Sequence, residues 1–305
     1  MTFQSIVHHP KFKVFACLFL FATSLSAQEN DEVGIWSELG IEKAITKSWD
    51  VGLDFEYRAQ DRARFSTGIS TSYKLNKHLK LGIGYNFLYS FRPEKHKEKN
   101  TQAEDPDNYY IGYNLTPEYW FPRHRFSAEA TGSIKLWNWF KISLRERYQL
   151  THAKARNVDK MKYRQQYTTV WETIEDPDDP WNWEMVEVKD VPDGEPTETW
   201  ETEVKPAYTD QVLRSRIKFE FDKKRNPFSP FVSVEFHNSV TVGDHMLLQK
   251  IRTAIGSSYK FRKRNEISLS YIITFDLNDI DDETNEVIRL HDRMHAINLG
   301  YKYSF

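Results

Sequence analysis

The chain has 305 residues, 42 basic and 44 acidic groups, and a formal net charge of -2. A mean hydropathy of -0.68, with no 18-residue apolar run beyond the N-terminal segment, excludes a helical membrane protein. The near-balanced charge gives no argument for nucleic acid as a partner. Its 20 Phe, 16 Tyr and 9 Trp are many for so polar a chain. Transmembrane β-barrels produce that combination, because half of each strand meets lipid, half meets a polar lumen, and aromatic girdles mark both interfaces.

The N-terminus has the parts of a secretory signal, expected over 1–27. Lys11 and Lys13 supply charge, Val14 to Leu25 is mostly apolar, and Ser24-Leu25-Ser26-Ala27 offers small residues for cleavage before Gln28. A lipobox ending at Cys17 fails because Phe15 is too bulky and the apolar run continues past the cysteine. Cys17 is the one cysteine, so a mature chain has no disulfide and no cysteine-metal site.

Period-2 alternation then recurs almost from end to end. Trp49, Val51, Leu53, Phe55 and Tyr57 alternate with Asp50, Gly52, Asp54, Glu56 and Arg58. Phe65, Ile69, Tyr73 and Leu75 follow, and then the clearest case, Leu79 to Phe91, with odd positions apolar. Further strands are expected at 119–136, 140–150, 213–221, 228–240, 251–261, 267–277 and 294–305. Most are long enough to cross a bilayer at a tilt, whereas globular strands usually stop sooner. Short polar turns fall at 46–48, 76–78, 223–227 and 262–265. Long polar insertions fall at about 92–108, 154–207 and 279–291, the pattern of periplasmic turns and external loops. In the last strand Ile297, Leu299, Tyr301, Tyr303 and Phe305 share one face, and Tyr301, Tyr303 and the final Phe305 resemble the address read by barrel-assembly machinery.

Counting backwards from a periplasmic C-terminus makes the first strand, about 33–44, descend and gives an odd total of eleven. Either a strand has been passed over, with 109–117 the candidate, or the N-terminal segment enters differently. The expectation is an all-β, transmembrane, antiparallel up-and-down barrel of about 10–12 strands over 28–305, with 154–207 as an acidic external loop. The segments KHLKLGIGYNFLYSF (77–91), HRFSAEATGSIKL (124–136), KISLRERYQLTH (141–152) and LRSRIKFEF (213–221) resemble domain of unknown function 2490. That resemblance implies a Gram-negative outer-membrane protein and brings no activity or catalytic residue with it.

Three constellations could carry chemistry. Glu56, Arg58, Arg64, Arg145, Arg147, Arg214, Arg216, Lys218, Glu220, Glu235 and Arg252, with His237, fall opposite the apolar face. Charge on the lipid face would cost about 2–4 kcal/mol near the midplane, so these side chains belong in the lumen. There they form either an interlocked network filling a narrow barrel or a cationic lining that favours anions. The stretch Glu172 to Lys205 has 13 acidic residues against Lys189 and Lys205, with Trp181, Trp183 and Trp200. Asp176, Asp178 and Asp179 are weak candidates for calcium, and the tryptophans leave an extracellular ligand open. Histidines such as His152, His237, His245, His291 and His295 could serve a rim hydrolase, but no serine sits in a recognisable nucleophile motif. The reading is an outer-membrane barrel in contact with lipid, without cofactor or catalysis, acting as a narrow pore, a ligand binder or an interaction surface. A membrane-embedded lipid-modifying hydrolase is the alternative.

Overall fold

The structure is a computed structural model that describes residues 32–102, 108–175, 183–223, 226–240, 246–262, 264–280 and 287–305. The expected signal segment, with Cys17 in it, and the triad Asp176, Asp178 and Asp179 lie outside the described residues. The chain is divided into two compact units, one of 1–90, 122–153 and 209–305, the other of 91–121 and 154–208.

The first unit is a closed barrel built from the alternating segments. Its strands are β1 (Glu32–Ala44), β2 (Trp49–Ala59), β3 (Arg64–Lys74), β4 (Leu79–Arg92), β8 (Tyr119–Leu136), β9 (Phe140–Ala153), β12 (Tyr208–Phe221), β13 (Phe228–Ser239), β14 (Leu247–Phe261), β15 (Asn265–Ile280) and β16 (Val287–Ser304). They close in the order β1-β16-β15-β14-β13-β12-β9-β8-β4-β3-β2. Eleven strands that alternate in direction leave the first and last pointing the same way. The ring therefore closes with one parallel pair, from Glu32↔Met294 to Glu42↔Ser304. That seam resolves the odd count: no barrel strand is missing, and the first strand does run in the direction of the last. The stretch 109–117 is a strand, but it belongs to the other unit. The break expected at 279–291 is narrower, since β15 and β16 stay paired out to Ile280↔Val287.

The short turns are specified locally. Thr46 Oγ1 accepts from the Ser48 and Trp49 amides, and Asn76 Oδ1 accepts from His78 and Leu79 at 2.8 and 2.9 Å. Trp137 and Asn138 both have positive φ, at 48° and 58°, and the Trp139 amide reaches the Leu136 carbonyl. This is a primed hairpin turn whose twist matches the strands it joins.

The outward face is layered. At the short-turn end Trp137 and Trp139 stack at 5.9 Å, Trp139 meets Phe221, Phe140 stacks on Phe219, and Phe228 contacts Tyr259 at 4.7 Å. Exposed Leu53, Ile69, Ile83, Leu144, Ile217, Leu269 and Leu299 occupy the middle, and Tyr57, Phe65, Tyr89, Phe126 and Tyr148 form a second aromatic ring. In β9, Phe140 and Tyr148 are eight residues apart, roughly 20 Å of depth on a tilted strand. Two girdles around an aliphatic band of that height are what a bilayer selects.

The second unit is a separate sheet containing β5 (Lys95–Glu98), β6 (Thr101–Gln102), β7 (Asn108–Thr116), β10 (Arg156–Glu175) and β11 (Trp183–Lys205). Its order is β11-β10-β7-β5, with β6 on β7. The acidic insertion expected as a loop is thus a long hairpin. The carboxylates of β11 are offset by lysines of β10: Lys162 lies 2.6 Å from Glu201, and Lys160 lies 3.4 Å from Glu203. Hydrogen bonding to Lys205, together with Lys160, holds the Glu203 carboxyl below the usual range. Tyr113 stacks on Tyr163 at 5.0 Å, and His96 meets Tyr113 edge-on at 4.1 Å.

Candidate functional site

Alternation sends every second barrel residue inward. The eleven charged residues expected there, from Glu56 to Arg252, all line one cavity of about 630 Å³. The charges are sorted along the barrel. Toward the short turns, lysines pair with carboxylates: Lys74 and Lys80 with Asp50 at 3.0 and 3.7 Å, Lys218 with Glu220 at 2.8 Å, and Lys302 with Glu42. Farther from the turns the cations are arginines.

Three carboxylates organise that arginine belt. Glu56 receives Arg58 at 2.8 Å and Arg64 at 2.5 Å. Glu235 receives Arg145 at 2.7 Å, Arg214, and His237 Nε2 at 2.8 Å. Glu129 receives Arg147 at 2.5 Å. Register explains the Glu129–Arg147 pair, which faces across β8 and β9. The residues directly opposite Glu235 are instead Arg216 and Arg252, and its bonded Arg214 lies one inward position along β12 from Arg216. The Arg145–Glu235 pair needs the further fact that β9 and β12 are adjacent.

Trp36 completes the belt. It points inward from β1, is 2% exposed, and packs against Ile272 and Ala296. The Arg58 guanidinium lies 3.7 Å from its ring centroid and that of Arg252 lies 4.9 Å away. Its Nε1 donates to Gln60 at 2.8 Å. The indole is thus held between two guanidiniums in the lumen.

Several inward residues escaped the sequence reading: Trp36, Glu38, Arg125 and Glu129. The parity of 33–44 and 119–136 would have exposed them, because the strands were recognised but their inner faces were not read. Of the terminal aromatics, Tyr301 donates to Asn265 at 2.6 Å, and the Tyr303 and Phe305 rings meet edge-on at 4.9 Å. His295 lies outward with Tyr271 at 2.7 Å, and His124 with Tyr85 at 2.8 Å. His152 Nδ1 lies 3.0 Å from the Thr209 hydroxyl. The residue His245 and the side chain of His291 lie outside the described part. One carboxylate is on the wrong face for a lumen group: Glu146 lies between outward Leu144 and Tyr148, and Ser215 donates to it at 2.6 Å.

Residues 33–285 match the family described as Protein of unknown function (DUF2490). The chain belongs to that family. No curated protein matches it significantly. Among solved structures it is similar to the CymD monoaromatic hydrocarbon channel, at 8% identity and a TM-score of 0.35, covering 82% of this chain and 85% of that one. The Pseudomonas putida toluene transporter TodX gives 9% identity and a TM-score of 0.29, with 84% and 86% covered. The translocator domain of the autotransporter NalP from Neisseria meningitidis gives 7% and 0.27, with 89% and 91% covered.

Proposed function

We propose that this DUF2490 protein is a Gram-negative outer-membrane barrel whose lumen binds a small polar solute without catalysis. The observation that carries the reading is the cavity of about 630 Å³ inside the closed barrel, charged on all sides and met by the Trp36 plug among the arginines. The two aromatic girdles and the aliphatic band between them support a bilayer location. The short turns then face the periplasm. A lumen filled by long side chains at one height favours binding or slow, narrow passage over an open water-filled channel.

Fractionation and planar-bilayer recording of the refolded full chain test this. The expected result is heat-modifiable protein in the outer-membrane fraction with low conductance that rises in Trp36→Ala. Large wild-type conductance unaffected by Trp36→Ala would overturn the plugged lumen. Release of fatty acid from phospholipid by the purified barrel would move the protein to the hydrolase reading.

A further inference from the structure

The arginine belt holds more cations than its carboxylates can serve. Glu56 and Glu235 are each shared by at least two arginines. Among the described residues neither Arg252 nor Arg125 forms an ion pair: Arg252 Nε donates to Thr274 at 3.1 Å and its guanidinium lies over Trp36, while Arg125 Nε donates to Thr151 at 3.1 Å. The strongest charged neighbours of Arg125 are four more guanidiniums, those of Arg64, Arg214, Arg123 and Arg58. The Nε atoms of Arg58 and Arg64 are buried without a hydrogen-bond partner.

A guanidinium does not relieve this crowding by shedding its proton at physiological pH. Like charges gathered away from bulk water repel strongly, and an unpaired buried charge is costly. A network present only to fill the bore would bring every cation to a carboxylate, as the lysine level nearer the turns does, where Lys74, Lys80, Lys218 and Lys302 each reach one. The residue type is also specific, since planar forked donors suit carboxylate and phosphate oxygens bidentately.

We propose that the belt is a binding site for an oxyanion, a carboxylate or phosphate group of a small solute, centred on Arg125 with Arg64 and Arg214 beside it. This rests on the solute-binding reading above and names the class of solute. Arg125 is the recognition residue, because the charged groups that act on it are cations, whereas Arg252, likewise without an ion pair, faces Glu235 in register.

The test uses the detergent-solubilised full chain and follows barrel melting at constant ionic strength in chloride, inorganic phosphate, acetate and citrate. A ligand that binds only the folded barrel raises its melting temperature. The expected result is a rise with phosphate or with the carboxylates over chloride, and which of them acts separates the two oxyanion sources. In Arg125→Gln, whose amide can still reach Thr151, binding should weaken about ten-fold or more, the effect of losing a charged hydrogen-bond donor. The same variant should melt no lower than wild type in chloride, because it removes an unanswered charge. No shift with any oxyanion in wild type, or an equal shift in Arg125→Gln, would overturn the site. These outcomes do not depend on conductance or membrane fraction, so the site can fail while the barrel reading stands.

Discussion

Glu235 shows why single residues in this lumen matter. It is 4% exposed and accepts from Arg145, Arg214 and His237, each on a different strand or position. Removing one partner of a buried ion pair costs about 3–5 kcal/mol, because the remaining charge is left uncompensated. Glu235→Gln should therefore lower barrel melting markedly, and by more than Glu220→Gln, which breaks the single Lys218 pair. Similar melting temperatures for the two variants would count against the belt as drawn. Glu146 gives the opposite sign. Its carboxylate sits on the outward face with Ser215 as its one donor among the described residues, and a charge there is unfavourable in hydrocarbon. Glu146→Leu should stabilise the barrel by about 1 kcal/mol in lipid, measured by urea unfolding from vesicles. Lower stability would mean that the Ser215 bond outweighs desolvation. The inward parity of such residues could be read from the chain. Their partners could not, because β9 and β12 are neighbours only after a long insertion is set aside.

At the scale of elements, strand positions were legible because a barrel repeats one simple rule, lipid outside and water or charge inside, along every strand. The first strand was expected at about 33–44 and is found at Glu32–Ala44; the 119–136 strand is β8. Direction at the seam came only from the strand count, which made the first strand descend with the last and gave eleven. Alternation could not support it, since the pattern is the same whether a strand is read upward or downward. Cross-linking decides it directly, because Cys17 is the one native cysteine and can be replaced by serine. Parallel closure brings Ser37 opposite Leu299 and Ile41 opposite Tyr303. Double-cysteine variants at both pairs should cross-link, each in the folded barrel. An antiparallel seam could satisfy only one of them, so failure of either pair in a barrel that still shows heat modifiability would refute the eleven-strand closure.

At the scale of the whole molecule, the insertions mark where composition misleads. High acidity and prolines read as loop, yet β11 carries Val186, Val191, Thr197, Thr199, Thr202 and Val204, β-branched residues that favour strands. The lysines that neutralise its carboxylates lie on β10, far enough back in sequence to hide the pairing. The sheet's ladders run from β10 to β11 and to β7, and from β7 to β5 and β6. Each of those ladders joins segments of the second unit only. Replacing both 95–116 and 157–205 with short turns should therefore leave a barrel that still folds and shows heat modifiability. Removing 157–205 alone should also spare the barrel, but it strips β7 of its β10 partner and leaves an unpaired strand edge. That variant should aggregate more readily than the double deletion, because an open edge pairs with other chains. Light scattering of the two variants at equal concentration makes the comparison. Loss of the folded barrel in the double deletion would show that the second unit is needed for the first to form, and the division of the chain into independent units would then be wrong.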